Sequence, residues 1–447
     1  SAEALRRPEV WAEARADYTR AALRAGDWDA AEKLAASHYL EPGTEGFAEL
    51  EFLAGYAALR GGVSDRALRH FRQLADNTNS VISQSRAFYW LGRAEELAGN
   101  DEAAQAEYKK AAIIQSAYYG QLAAEHIGVE TDPALSLPGR AEATLPQWRR
   151  HGLRENEVFQ AGVFAFAAGQ PELGQRFFLH LSETATPEDI GRMARLALEM
   201  HYPWYALRLA KRAAGKGTVY PAVYFPLTGL EDENLDLPPE LVMAISRQES
   251  EFNHTVSSHV GARGLMQLMP ETARQMATQV GIEYNLARLT QDPYYNARLG
   301  AAYLQGLRDR FGPSSALVAA GYNAGPGRSR QWTERFGDIR NGSDPVDWVE
   351  MIPFDETRNY VMRVTEALSV YRSRIAGHPV ALTPTRDLTG DGIVPPPPRA
   401  RQTLSEVLTR SVRPPREGAP LSPAAAAFSE PELSAPSRPL PRPDGYN

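Results

Sequence analysis

The sequence predicts an all-α protein with three parts: a helical superhelix, a second mainly α domain and a disordered proline-rich tail. Three observations predict it. From Arg7 to about Gly215 the chain is rich in Ala, Leu, Arg and Glu, with few β-branched runs. Within that stretch a glycine and a polar turn recur, in AGDWDAA at Gly26, RGGVSDRA at Gly61, AGNDEAA at Gly99 and AGQPELG at Gly169. After it, no strand-like alternation of convincing length appears.

The gaps between those glycines are 35, 38 and 70 residues, the last about twice the first. That period suits helix-turn-helix repeats of the tetratricopeptide kind, each burying its apolar face against its neighbours. The match is loose, so the expectation is a helical solenoid over 1–219 and not a strict repeat family. A Pro- and Tyr-rich stretch from Tyr220 to Glu240 marks the next boundary. There Asp236 is a candidate N-cap, with Pro238 or Pro239 in the first turn. Further on, Asp292-Pro293 starts a helix that Gly312-Pro313 stops, and another runs from about Glu356 to Arg374 with Tyr360, Val364, Leu368 and Tyr371 on one face. A short hairpin in this domain, 220–379, stays open as an alternative.

After Pro379 the composition changes. Fourteen of the 33 prolines fall in the last 67 residues. A segment of this kind buries too little apolar surface to offset its ordering entropy, so 380–447 reads as disordered, with Gln402–Arg410 as its one candidate helix.

Composition narrows the function. The chain has 447 residues, net charge −7 and pI near 5.8, which argues against a nucleic-acid partner. No apolar run approaches the ~18 residues of a membrane helix. With no cysteine, thiol nucleophiles, disulfides, thiolate metal sites and an acylated N-terminal cysteine are excluded. The chain starts at Ser1, so a processed or trimmed form is expected. No cofactor or metal is expected either: the nine histidines show no ligand spacing, DLTGDG at Asp387 has Pro398 where a calcium loop needs glutamate, and AGKGT at Ala214 lacks a phosphate loop's upstream glycine.

The most informative stretch is Glu240 to Pro270. Leu241, Ile245 and Glu249 recur at i, i+4 and i+8, which puts a carboxylate on the apolar stripe of a helix. Burial there raises a carboxyl pKa, as a general acid near neutral pH requires. The alternative is a helix-end carboxylate turned to solvent or capping a neighbour. A tight loop with Gly261 and Gly264 follows, then a helix opening at Pro270.

Four segments, Glu249-Ser250, GLMQLMP from Gly264, AGYNAGPGR from Ala320 and EMIPFDETRNYV from Glu350, resemble in order the motifs of the lytic transglycosylase catalytic domain, glycoside hydrolase family 23. The resemblance covers roughly Tyr220 to Ile375. It implies a goose-type lysozyme-like fold. AYYGQLAAE at Ala117 further resembles the superhelical domain of the large soluble members of that family. The resemblance implies cleavage of the MurNAc-β-1,4-GlcNAc bond without water, giving 1,6-anhydroMurNAc products, with Glu249 as acid and then base. Ser258, Gln267, Met269, Tyr322 and Asn323 are implied to line the sugar groove, and Glu350 to lie near its floor. Each has a structural alternative: Met269 as core, Gln267 facing solvent, Tyr322-Asn323 as a turn, and Glu350 paired with Arg358 or a backbone amide. Glu251, Asp292 and Glu356 read as surface or capping groups. The implied setting is the periplasm, with peptidoglycan strands as partner and the proline-rich tail as a candidate tether to cell-wall synthesis or division proteins. The rival readings are a hydrolytic muramidase on the same fold and a non-enzymatic cell-wall scaffold.

Overall fold

The structure is a computed structural model that describes residues 7–136 and 144–391. The tail from 392 on, with the candidate helix Gln402–Arg410, lies outside the described residues.

The N-terminal half is a run of antiparallel helix pairs: α1 (Ala12–Ala25) with α2 (Trp28–Ala36), α3 (Phe47–Arg60) with α4 (Ser64–Asp76), and α5 (Val81–Leu97) with α6 (Asp101–Ala112). Then come α7 (Tyr118–Ile127), the pair α8 (Glu157–Ala167) and α9 (Pro171–Thr184), and the pair α10 (Pro187–Glu199) and α11 (Pro203–Gly215). The recurring glycine turns sit where four of these pairs reverse. Gly26, Gly62, Gly99 and Gly169 all have positive φ, which L side chains rarely adopt.

A second regularity lies inside the pairs. A Cβ on Gly55 would fall 2.6 Å from the ring of Phe71, one on Gly92 2.6 Å from Tyr108, and one on Gly162 2.6 Å from Phe178. Each aromatic lies sixteen positions after its glycine. The bare backbone of the first helix is therefore the seat for a ring from the second, and these rings are buried. Close-packed interiors tolerate no extra methyl at such a point.

Among its described residues the second half holds ten α-helices: α12 (Pro221–Tyr224), α13 (Pro239–Ser250), α14 (Pro270–Gln279), α15 (Arg288–Gln291), α16 (Pro293–Phe311), α17 (Ser315–Ala324), α18 (Pro326–Phe336), α19 (Pro345–Glu350), α20 (Asp355–Ala376) and α21 (Pro384–Thr389). Most open on a proline, whose fixed φ suits the first turn. Asp292 caps α16 by accepting from Tyr295 N at 2.9 Å. The cap expected at Asp236 is not made: Pro238 is the N-cap residue of α13, and Asp236 sits before it in a left-handed conformation (φ 55°). Two prolines in succession take the place of a side-chain cap. Helix α20 packs between α13 and α17. Among the described residues there is no β-strand, only isolated bridges Ser257–Arg263 and Arg263–Leu268, and no helix long and apolar enough to cross a membrane.

The two halves meet through buried polar groups. Helix α7 docks on α20: Tyr118 N donates to Glu366 Oε2 at 3.0 Å and Gln121 Nε2 donates to the Glu366 carbonyl at 2.9 Å. Tyr56 donates to Asp347 Oδ1 at 2.9 Å. On the other flank, Arg208 and Lys211 of α11 grip Glu251 at 2.7 and 2.5 Å. Glu251 was read as a surface or capping group; it is a tie between the halves.

The boundary expected at Pro379 is corrected by the packing. Residues 380–391 continue the folded structure: Leu388 and Asp387 are fully buried, and Arg372 of α20 holds Asp387 at 3.0 Å. Thr385 also donates from its backbone to Glu125 of α7 at 3.0 Å. Proline counts over a long window hid a short helix that supplies the counter-charge for a buried arginine. Breaking such a pair leaves an uncompensated charge, so Asp387→Ala should cost about 3 kcal/mol in urea unfolding. By the same reasoning a chain ending at Pro379 should melt well below one ending at Asp391, and equal melting would remove α21 from the fold's support.

Candidate active site

Helix α13 delivers Glu249 as its penultimate residue, with Leu241 and Ile245 of the same stripe buried. The helix stops abruptly. Glu251 and Phe252 both take positive φ, 55° and 66°, an uncommon pair for residues with side chains. The grip on Glu251 from α11 and the burial of Phe252 hold that turn. Ser250 donates to the Leu265 carbonyl at 2.6 Å and so ties the helix end to the following loop.

That loop is built tightly. Gly264 has φ 76°, and a Cβ there would lie 1.9 Å from the Leu289 carbonyl and 2.3 Å from Asn296. Buried Asn296 of α16 accepts from Met266 N at 2.9 Å and donates to the carbonyls of Arg263 and Leu289, each at 2.9 Å. Gly300 leaves the space that the Met266 side chain fills. Neither Asn296 nor Gly300 stands out in the sequence, since an asparagine and a glycine inside a helix carry no local signal.

Around Glu249 three elements converge. Tyr360 of α20 donates to Glu249 Oε1 at 2.6 Å. Tyr322, in the last turn of α17, donates to the Met266 carbonyl at 2.8 Å and packs on Tyr303, with ring centres 5.4 Å apart. Asn323 beside it accepts from Thr357 at 2.6 Å and donates to Glu356 at 3.4 Å. Burial pushes Glu249 up to about 8, the Tyr360 hydrogen bond pulls the other way, and the nearby Glu356 carboxylate adds to the rise. Burial also drives the Tyr322 and Tyr360 hydroxyls well above their ordinary range, so both stay protonated donors. Tyr360 was read only as one of an apolar helix face; its hydroxyl reaches the one group in the site that titrates near neutrality. Glu356, read as a surface or capping group, is half-buried and acts on Glu249 through its charge.

The other expected groove residues divide. Ser258 accepts from Ala262 N at 3.0 Å and closes a turn. Gln267 sits at φ 47°, and its amide donates to the carbonyls of Gly264 and Val256 at 2.8 and 3.2 Å, so that end of the side chain is taken up by the loop. Met269 is the half-buried residue before α14. Tyr322 and Asn323 lie in a helix, with the bend beginning only at Gly325. Glu350, expected near the groove floor, is buried. Its carboxyl is shut from solvent, reached by Tyr119, by Arg86 at 3.5 Å and by Arg20 at 3.8 Å, all from the N-terminal half. A carboxylate inserted between two guanidiniums and a phenol belongs to the join of the two halves. Its partners lie more than two hundred positions away, and a sequence window cannot contain them.

The raised pKa gives Glu249 a stability signature. Below pH 4.5 the folded and unfolded chains both hold the proton, and the group contributes no difference. As pH rises toward about 8 the unfolded chain releases a proton that the folded chain keeps, so stability falls across that window. Glu249→Gln should therefore match the parent at pH 4 and exceed it at pH 8 by roughly 2 to 4 kcal/mol in urea unfolding. Tyr360→Phe removes a donor to the charged form, so the apparent pKa of Glu249, read from that pH dependence, should move further up.

Residues 230–341 match the family model described as the transglycosylase SLT domain. The chain is 31% identical over 278 residues to the soluble lytic murein transglycosylase of Escherichia coli strain K12, covering 61% of this chain and 41% of that protein. It is 31% identical over 291 residues to its Salmonella typhimurium counterpart, covering 64% and 43%. The chain thus spans about two fifths of the length of these curated relatives. Among solved structures it resembles an inactive mutant of the lytic transglycosylase Slt from Pseudomonas aeruginosa, with TM-score 0.62, 28% identity and coverage of 82% of this chain and 57% of that one. The fold is also that of the 70-kDa soluble lytic transglycosylase of Escherichia coli, with TM-score 0.54, 23% identity and coverage of 81% and 63%. The chain thus carries a match to the transglycosylase SLT domain over residues 230–341 and is similar in sequence and fold to lytic transglycosylases.

Proposed function

We propose that this protein is a periplasmic peptidoglycan lytic transglycosylase that cleaves the MurNAc-β-1,4-GlcNAc bond and leaves 1,6-anhydroMurNAc ends. The observation that carries the reading is a buried carboxyl within the SLT-domain match, Glu249, pushed up to about 8 and held by a tyrosine among the groups of the site. A carboxyl that keeps its proton at neutral pH can give it to a glycosidic oxygen.

In this reading Tyr360 occupies Glu249 Oε1 and leaves Oε2 to carry the proton to the leaving oxygen. As the C–O bond breaks, the muramoyl N-acetyl oxygen adds to the anomeric carbon. Glu249, now a carboxylate, takes the proton of the sugar's 6-hydroxyl as that oxygen displaces the acetyl oxygen and closes the anhydro ring. No water enters, because an intramolecular hydroxyl has the advantage of proximity. Tyr322, Asn323, Gln267, Met269 and Ser258 are the proposed walls of the glycan groove. The helical half holds the neighbouring strand and its peptide stems. Glu356 contributes through its charge, keeping the Glu249 proton in place.

Glu249→Gln should retain the fold and lose at least about 99% of turnover on purified sacculi, the lower end of an acid–base contribution. Digestion in oxygen-18 water should leave the muramoyl ends unlabelled by mass spectrometry. Label at the reducing end would replace this reading with a hydrolytic muramidase.

A further inference from the structure

Just past Glu249 the backbone takes a course seen nowhere else among the described residues. Glu251 (φ 55°) and Phe252 (φ 66°) are left-handed in succession, whereas the other residues with a side chain and positive φ, Tyr39, His201, Asp236 and Gln267, are so singly. A Cβ crowds the following carbonyl in that conformation, so the pair persists only where its surroundings impose it. The turn ends the helix that bears the acid: Glu251 N donates to the Arg247 carbonyl at 3.2 Å and Asn253 N to the Ser250 carbonyl at 2.9 Å. The direction in which the chain leaves that last turn sets how the Glu249 carboxyl meets Tyr360, at 2.6 Å.

The groups round Glu249 all belong to the second half: Tyr360 and Glu356 of α20, and Tyr322 of α17. The grip on the turn comes from the first. Arg208 and Lys211 stand three apart on α11, hence on one face of it. Arg208 Nε reaches Glu251 Oε2 at 2.7 Å, and Lys211 Nζ reaches Oε1 at 2.5 Å, so both oxygens are held from one helix. Burial would raise the Glu251 carboxyl, yet the Lys211 and Arg208 charges keep it below its ordinary range, and the clamp stays ionised where Glu249 titrates. The Arg208 and Lys211 side chains are 43% and 36% exposed, and pairs this accessible add little to global stability. Their effect is on local conformation.

We propose that Arg208 and Lys211 of the helical half are positioning residues for the acid, clamping Glu251 so that the end of α13 stays left-handed and Glu249 stays against Tyr360. The reaction they serve rests on the proposed function; the clamp itself rests on the backbone and its two ion pairs. Both residues act through Glu251, and the geometry of the acid is thereby a joint property of the two halves.

The test turns on the residue that needs no clamp. Glycine enters the left-handed region freely, so it should keep the turn where alanine cannot, although neither offers a carboxylate to the helical half. Four full-length chains are compared on soluble, uncrosslinked murein glycan: the parent, Arg208→Met/Lys211→Met, and that double variant with Glu251→Ala or with Glu251→Gly added. The double variant and its alanine derivative should lose kcat by about tenfold or more, as a displacement of about 1 Å does, with KM little changed. Burial outweighs the Tyr360 hydrogen bond in setting the Glu249 pKa, so a carboxyl released toward water should move the alkaline limb of kcat/KM to lower pH. The glycine derivative should recover most of the turnover and the parental limb. Parental kcat in the double variant, or a glycine derivative no better than the alanine one, would each overturn the proposal. Should the double variant fail to fold, Glu251→Ala against Glu251→Gly in the parent decides by the same comparison. Urea unfolding across pH reports the apparent pKa of Glu249 without substrate, and it should fall in the two impaired chains and return with glycine. That order in a chain whose products take oxygen from water, or that cleaves no glycan, would sink the transglycosylase reading and leave this one standing.

Discussion

A helix buried on almost every side is stabilised wherever its polar residues find partners, and several polar residues of α20 do. Thr357 is satisfied by Asn323, Tyr360 by Glu249, Glu366 by Arg363 and the α7 backbone, and Arg372 by Asp387 and Glu240. These pairings fix where α13, α17, α21 and α7 sit around it. The site and the join both draw on one helix: its N-terminal half supplies Glu356 and Tyr360 to Glu249 and Thr357 to Asn323, and its middle supplies Glu366 to the helical domain.

The two halves share one hydrophobic cluster and are also joined by charge and hydrogen bonds, in which geometry matters more than area. A buried carboxylate such as Glu350 is costly to desolvate, and its attraction to Arg20 and Arg86 offsets that cost only while all partners are in place. Such a join resists sliding, because any shift breaks several pairs at once. The same logic holds on the far flank, where Lys211 and Arg208 fix Glu251 two residues after Glu249. The helical domain thus helps hold the left-handed turn that ends the helix bearing the acid.

Glu249 shows how environment makes a tool from an ordinary residue. In water its carboxyl would be ionised at neutral pH. On the stripe of α13, facing Tyr322 and Tyr360 with Glu356 nearby, the charged form is disfavoured. The lone hydrogen bond from Tyr360 moderates that effect and orients the group. A second donor would favour the carboxylate and weaken the acid.

The sequence by itself determined the helical class, the recurring glycine turns and the placement of Glu249, because these depend on local spacing: 3.6 residues per turn, positive φ at glycine, and proline at helix starts. It also carried the ordered motifs from Glu249 to Val361. Only the tertiary structure decided what the side chains do. Tyr360 shares an apolar face with Val364, yet its hydroxyl finds Glu249, 111 positions earlier. Glu350 sits among motif residues, yet it faces Arg20, Arg86 and Tyr119. Asp387 lies past a composition break, yet it neutralises Arg372. In each case the deciding partner is remote in sequence, and the free energy of a buried charge or hydroxyl depends on that partner and not on its neighbours along the chain.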